Sequence, residues 1–461
     1  MKLVYDIHDK PKFHQLLIFA FQQVLAILAA TIAVPSIIGN GMSQSAALFG
    51  AGVGTLVYQL FTKRKSPVYL GSSFAFLGSM GAAFAGAVST SAGFAGLIFG
   101  AIFAGLVYVI IALVVKFVGV KWIDKLMPPA VIGPTVAIIG LSLAGNAVSD
   151  LFTGRGKLAE RVVDVLENGQ IVQKVEQFYS CSPYVALICG LVTLFAVMLF
   201  SVYGSKMIKL IPFILGILVG YGVAAIFTVI GIAIDNPALQ VIDFYVFKDM
   251  GIFAVPEFTF LTALKGIKDI DGAYIATVAV AYAPVAFVVF AEHIADHKNL
   301  STVIDRDLLE EPGLHRTLLG DGIGSAVGSL FGGCPNTTYG ESVGCVAITR
   351  NASVITITTA AIMCIVISFF SPFVTFLSSI PNCVMGGVCT ALYGFIAVSG
   401  LKMIQKVDLS ASKNLFVVSV ILICGIGNLT LSFGKITLTA IACSLILGIL
   451  TNVILSKGKD D

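Results

Sequence analysis

Long apolar runs alternate with short polar breaks along the whole of this chain. About 20 apolar residues cross a bilayer as one helix. Runs near 14–34, 44–62, 68–87, 93–116, 127–147, 184–203, 208–232, 272–297, 316–332, 336–349, 352–378, 382–403, 413–429 and 436–456 predict about fourteen such spans. The third, ninth and tenth are interrupted by Gly, Ser or Pro and are weak on hydropathy alone. The 461 residues are 57% hydrophobic and 11% charged, against about 25% charged in an ordinary soluble protein. Mean hydropathy is +0.98. The expectation is an all-α polytopic membrane protein with membrane lipid around it. The net charge of +3 is spread over loops, so no basic patch points to nucleic acid.

Lysine and arginine orient the spans. With the N-terminus inside, 20 of the 28 fall in inner segments. Seven of the rest lie in the long segments 148–183 and 233–271, where the rule is weak, and only Lys435 lies in a short outer loop. This asymmetry predicts a multi-pass protein of the cytoplasmic membrane with both termini cytoplasmic. Residues 1–12 are polar and the run after them is long enough to span, so a removable leader is not expected. Segment 148–183 is expected outside as a long, charged loop, with helix one form open to it. Nine cysteines show neither paired metal spacing nor a disulfide framework, and read as small packed hydrophobes.

Fourteen spans suggest seven plus seven. An odd-numbered repeat fused to its copy enters the membrane the opposite way round, as in many secondary transporters. The third span opens on PVYLGSSFAF (67–76), and the tenth on PNTTYGE (335–341). Each is a proline followed by small, polar and aromatic residues where an apolar helix belongs. Such segments run extended and then turn helical. Two of them can satisfy each other's backbone groups, leaving two helix N-termini aimed at a polar ligand.

The candidate chemistry lies in the same places. Residues 334–350 read CPNTTYGESVGCVAITR, with Glu341 among helix breakers; residues 283–297 read APVAFVVFAEHIADH, with Glu292, His293, Asp296 and His297. An ionisable group within a span is costly and marks a substrate or proton path. Glu292 and Asp296 are four residues apart, on one helix face, where like charges in a low dielectric resist ionising together. His293 and His297 share the same spacing, but no Glu follows the first histidine, so the H-E-x-x-H zinc arrangement is absent. A channel would need a continuous polar pore; here the ionisable groups cluster at one depth. No metal, no cofactor and no enzymatic reaction is expected.

These motifs resemble the nucleobase–ascorbate transporter family. Segments 67–76, 291–297 and 312–350 carry the likeness, which runs over nearly the whole chain from Gln22 onward. Asn336 to Glu341 with VAITR (346–350), AEHI (291–294) and PGLHR (312–316) are similar to its uracil branch. The resemblance implies a 7+7 inverted repeat. It implies a core domain of residues 13–118 and 272–378 (spans 1–4 and 8–11) and a gate domain of residues 119–271 and 379–456 (spans 5–7 and 12–14). It further implies a homodimer that imports uracil or a related nucleobase with a co-transported proton, by an elevator-like displacement of the core.

By the same likeness Glu292 holds the N–H and carbonyl edge of the base and Glu341 takes its other polar edge. Phe74 stacks on the ring, with Ser73 beside it. Tyr339 and the Gly340 backbone adjoin Glu341, while Ala30 and Tyr393 are wall positions. Glu292, Asp296 and Glu341 would handle the proton. Three residues depart from the pattern. Gln23 and Asp296 stand where the uracil branch has histidine, and Ser342 stands where the motif has asparagine. Purine-type members tend to have aspartate at the position of Asp296, so the alternative is a xanthine or urate proton symporter. Asp321 resembles an acidic position of other branches, and its distance of five residues from Arg316 also suggests a salt bridge near the inner surface.

Overall fold

The computed structural model describes residues 3–155, 158–167, 170–206, 208–248, 250–433 and 436–456. Lys2, Lys157, Lys435, Lys457 and Lys459, which entered the charge count, lie outside the described residues. The first part of the chain forms α1 (Phe13–Ile38), α2 (Gln44–Phe61), β1 (Leu70–Ser72), α3 (Leu77–Ala85), α4 (Thr90–Val118), α5 (Lys121–Leu126), α6 (Pro129–Ser142) and α7 (Ala144–Leu151). Next come β2 (Leu158–Glu167), β3 (Gln170–Tyr179), α8 (Pro183–Tyr203), α9 (Pro212–Ala233), α10 (Thr259–Gly266), α11 (Gly272–Ile304) and α12 (Leu314–Gly332). The last part holds β4 (Asn336–Thr338), α13 (Gly340–Thr349), α14 (Val354–Ile367), α15 (Ser371–Ser379), α16 (Asn382–Ile404), α17 (Ser412–Ile426), β5 (Leu431–Phe433), β6 (Ile436–Leu438) and α18 (Ala440–Leu455).

Among the described residues, seven helices are long and apolar enough to cross a membrane: α1, α4, α6 with α7, α8, α9, α11 and α16. Shorter apolar helices cover Phe74–Ala85, Val354–Ile367, Ser412–Ile426 and Ala440–Leu455. The protein is therefore a multi-pass membrane protein, mostly helical.

The chain divides into two compact units. One comprises Met1–Ser142, Phe253–Phe370 and Tyr393–Asp461; the other comprises Leu143–Ile252 and Ser371–Leu392. In the first unit α12 is held between α2 and α4 by glycines. Gly50 and Gly54 of α2 face Gly324 and Gly328 of α12: a Cβ on Gly50 would lie 2.4 Å from the Gly328 carbonyl oxygen, and one on Gly54 2.7 Å from that of Gly324. On the other side a Cβ on Gly105 of α4 would lie 2.7 Å from the Gly322 carbonyl oxygen. Small residues four apart let membrane helices meet backbone to backbone. The stretch expected as the ninth span is weak on hydropathy for this reason: the glycines of α12 face neighbouring helices.

The residues before α1 also belong to this unit. Val4 donates its N–H to the Arg350 carbonyl (2.8 Å), Val354 donates to that of Ile7 (3.0 Å), and Asp6 pairs with Arg306. In the second unit α8 and α9 meet at Thr193, Val197, Gly216 and Gly220.

Two expectations change. The eleventh span, expected unbroken over 352–378, ends at Ile367. Phe370 then bridges to Phe253, and α15 restarts at Ser371. The sequence SFFSP explains the break, because Pro372 has no N–H with which to continue α14 but is tolerated in the first turn of a new helix. Between α7 and α8 the described residues of segment 148–183 hold no further helix. They form an antiparallel hairpin in register from Leu158↔Tyr179 to Glu167↔Gln170, matching their period-two sequence of β-branched and polar residues.

Candidate substrate site

The site is built on two short strands. β1 and β4 run antiparallel in register Leu70↔Thr338, Gly71↔Thr337 and Ser72↔Asn336. Tyr339 N–H to the Tyr69 carbonyl (3.2 Å) and Ser73 N–H to that of Pro335 (2.8 Å) extend the ladder at both ends. The extended pieces that follow Pro67 and Pro335 therefore satisfy each other's backbone at membrane depth, where nothing else would. Gly71 admits the Tyr339 ring, since a Cβ there would lie 2.5 Å from it; the Tyr339 hydroxyl donates to the Ser72 carbonyl at 2.6 Å.

Both strands then coil. Phe74–Phe76 makes one 3₁₀ turn into α3, and Gly340 begins α13. Because the ladder is antiparallel, each helix starts beside the beginning of the other strand, so both N-termini face the ladder. The first-turn N–H groups of α13 lack intrahelical acceptors and carry the positive end of the helix dipole, whereas the Leu77 N–H that opens α3 is taken by the Phe74 carbonyl. Glu341 sits in that first turn of α13.

Glu292 lies half-buried on α11, and Asp296 is buried one turn later. The Thr338 hydroxyl donates to Asp296 Oδ2 at 2.9 Å, and a Cβ on Gly340 would lie 3.6 Å from Asp296 Oδ1. Glu292, Asp296 and Glu341 lie close enough to feel one another's charge. Phe74 is half-buried and meets Tyr393 edge-on, with centroids 5.9 Å apart. Ala30 and Tyr339 belong to one apolar cluster with Tyr69, against which Phe74 packs. The eight candidate positions picked out by the family likeness lie around the ladder and α11.

Several contributors were not visible in the sequence. Thr338 is a partner of Asp296 only because β4 is extended beside α11. Asp321 pairs with His293 rather than Arg316: Oδ2 lies 2.7 Å from His293 Nδ1, and His293 Nε2 lies 2.9 Å from Thr317 Oγ1. The one available signal was that Thr317 and Asp321 stand four apart on α12. The His293 and His297 rings stack at 4.1 Å. His297 Nδ1 reaches the His293 carbonyl (2.8 Å) and Nε2 the Tyr58 hydroxyl (2.7 Å). Two departures from the family pattern hold α13 in place. Gln23 donates to the Ser342 carbonyl at 3.4 Å, and Ser342 Oγ accepts the Tyr69 N–H at 3.1 Å.

Comparison with known proteins follows the same lines. A Permease family model matches residues 14–433. The uracil permease of Bacillus caldolyticus is 37% identical over 457 residues, covering 98% of this chain and 95% of that protein. The uracil permease of Bacillus subtilis (strain 168) is 35% identical over 464 residues, covering 100% and 97%. Among solved structures, the transmembrane domain of a cyanobacterium bicarbonate transporter, BicA, aligns with TM-score 0.63 at 16% identity, covering 97% of this chain and 100% of that one. At that identity the likeness speaks for the fold alone.

Proposed function

Because the chain belongs to this permease family, the nucleobase–ascorbate transporters, we propose that it is a symporter importing uracil with protons across the cytoplasmic membrane. The observation that carries this reading is the β1–β4 ladder, which brings Phe74, Gly340 and Glu341 together with Glu292 of α11. Uracil is planar and uncharged, with two N–H donors and two carbonyl acceptors. Glu292 and Glu341 accept from its N–H groups. A carboxylate acceptor makes a bond about twice as strong as a neutral one. First-turn N–H groups of α13 donate to a carbonyl, and Phe74 offers a flat face.

Asp296 lies within the field of both glutamates, and repulsion among the three is relieved when one takes a proton. Substrate and proton binding are thereby linked. A neutral base gains nothing from the membrane potential, whereas each proton contributes about 2.3 kcal/mol per 100 mV. In this reading residues 13–118 and 272–378 form a core that moves, elevator-like, against a gate of residues 119–271 and 379–456. Both termini are cytoplasmic and the protein is a homodimer.

Proteoliposomes given labelled uracil on the outside test the proposal. Uptake should be concentrative under an inward proton gradient and collapse with a protonophore. Uptake that survives the protonophore but needs sodium would defeat the proton claim; uptake of xanthine but not uracil would defeat the substrate.

A further inference from the structure

Asp321 of α12 commits Oδ2 to His293 and leaves Oδ1 without a hydrogen-bond partner among the described residues. The Tyr108 hydroxyl of α4 is also without one, and so is the Thr337 hydroxyl beside it. Asp321 is 1% exposed and Tyr108 4%. Both line one internal cavity of about 10 Å³, together with Phe76, Val289, Ser325 and Asn336. A buried polar atom with no partner is costly. A cavity of roughly 10–15 Å³ holds one water when at least two polar groups face it.

We propose that this cavity seats a single internal water, which accepts from the Tyr108 hydroxyl and donates to Asp321 Oδ1. The Tyr108 ring meets His293 edge-on, with centroids 6.3 Å apart. One tyrosine therefore serves both members of the pair, through its ring on His293 and through the water on Asp321. The water completes a chain from Thr317 through His293 and Asp321 to Tyr108. Within it a proton can pass between His293 Nδ1 and Asp321 Oδ2: one N–H or O–H bond breaks as the other forms, and the remaining bonds persist. Tyr108 is a positioning residue, holding the donor that favours ionised Asp321.

The titratable and charged groups facing the pair are Tyr108 on α4, Tyr58 on α2, and Glu292, Asp296 and His297 on α11. The seat stands on geometry alone, and its part in transport rests on the proton-coupled reading above.

Two measurements test it. Density for the whole protein should contain one peak about 2.7–3.2 Å from both Tyr108 Oη and Asp321 Oδ1. A direct Tyr108–Asp321 bond, or a cavity without density in a map that shows other internal waters, overturns the seat. Tyr108→Phe keeps the ring on His293 and removes the hydroxyl. Uracil affinity should stay within about threefold of wild type, while the pH profile of uptake moves up by about one unit. A profile coinciding with wild type ends the role in transport. Wild-type uptake indifferent to both pH and protonophore would count against proton coupling instead, and the density would still decide the seat.

Discussion

Thr338 donates its hydroxyl hydrogen to Asp296 across 2.9 Å, so strand β4 is joined to α11 one turn beyond Glu292. A change of charge on Asp296 is felt directly by the strand that leads into Glu341. We predict that Asp296→Asn, which keeps an acceptor for Thr338 but removes the charge, binds uracil within a few-fold of wild type and fails to concentrate it. Binding by thermal shift and accumulation under a proton gradient, on one preparation, separate the two effects. Wild-type accumulation would remove Asp296 from the proton route. Thr338→Val, which strips the donor from a buried carboxylate, should lower stability by about 1–3 kcal/mol.

Glu292→Gln and Glu341→Gln should each abolish measurable uracil binding. Each loses a charge-assisted bond worth about 1.5–3 kcal/mol, and each amide places a donor where the base also donates. Titration calorimetry on the two variants is the check; retention of wild-type affinity by either one excludes that glutamate from direct contact.

Much of this arrangement was legible beforehand. Pro67 and Pro335, each heading a run of small and polar residues inside an apolar protein, announced extended backbone in the third and tenth spans, and period-four glycines explain why the ninth looked weak. What stayed hidden depends on tertiary proximity. His293 and Asp321 are 28 residues apart on different helices, so local spacing offered Arg316 as the partner instead. Thr338 reads as a plain strand residue until β4 is laid beside α11. The paired strands Leu158–Glu167 and Gln170–Tyr179 carried their alternation openly, but a long charged outer segment with no apolar face to bury reads first as a loop.

Orientation can be tested with cysteines. Lys63 and Lys248 are both exposed and are placed on opposite sides by the lysine and arginine asymmetry. An impermeant maleimide added to intact cells should label Lys248→Cys above the wild-type background and leave Lys63→Cys unlabelled. The reverse pattern would invert the topology.

Outside the spans, Lys65 pairs with the exposed Glu311. Its hydrogen bond, and then its charge, hold the Glu311 carboxyl below the ordinary glutamate value. A carboxyl held lower in the folded than in the unfolded chain adds stability above its unfolded value and loses it as pH falls through the folded one. The stability difference between wild type and Lys65→Gln should therefore be small, fade on acidification and shrink with salt. A difference that grows as pH falls contradicts the pairing.

Gly54→Ala should be poorly tolerated, because its methyl group would meet the Gly324 carbonyl oxygen at 2.7 Å. Overpacking of this kind costs about 1–3 kcal/mol. Thermal unfolding in detergent would register the loss, and an unchanged midpoint would mean that α2 and α12 can part without cost.

That backbone-to-backbone contact has a thermodynamic side. Glycine faces have no rotamers, so the order they impose on α2, α12 and α4 is paid once, when the chain folds. A ligand arriving at the neighbouring ladder has little side-chain freedom to freeze in this slab, and more of its interaction energy is left to appear as affinity.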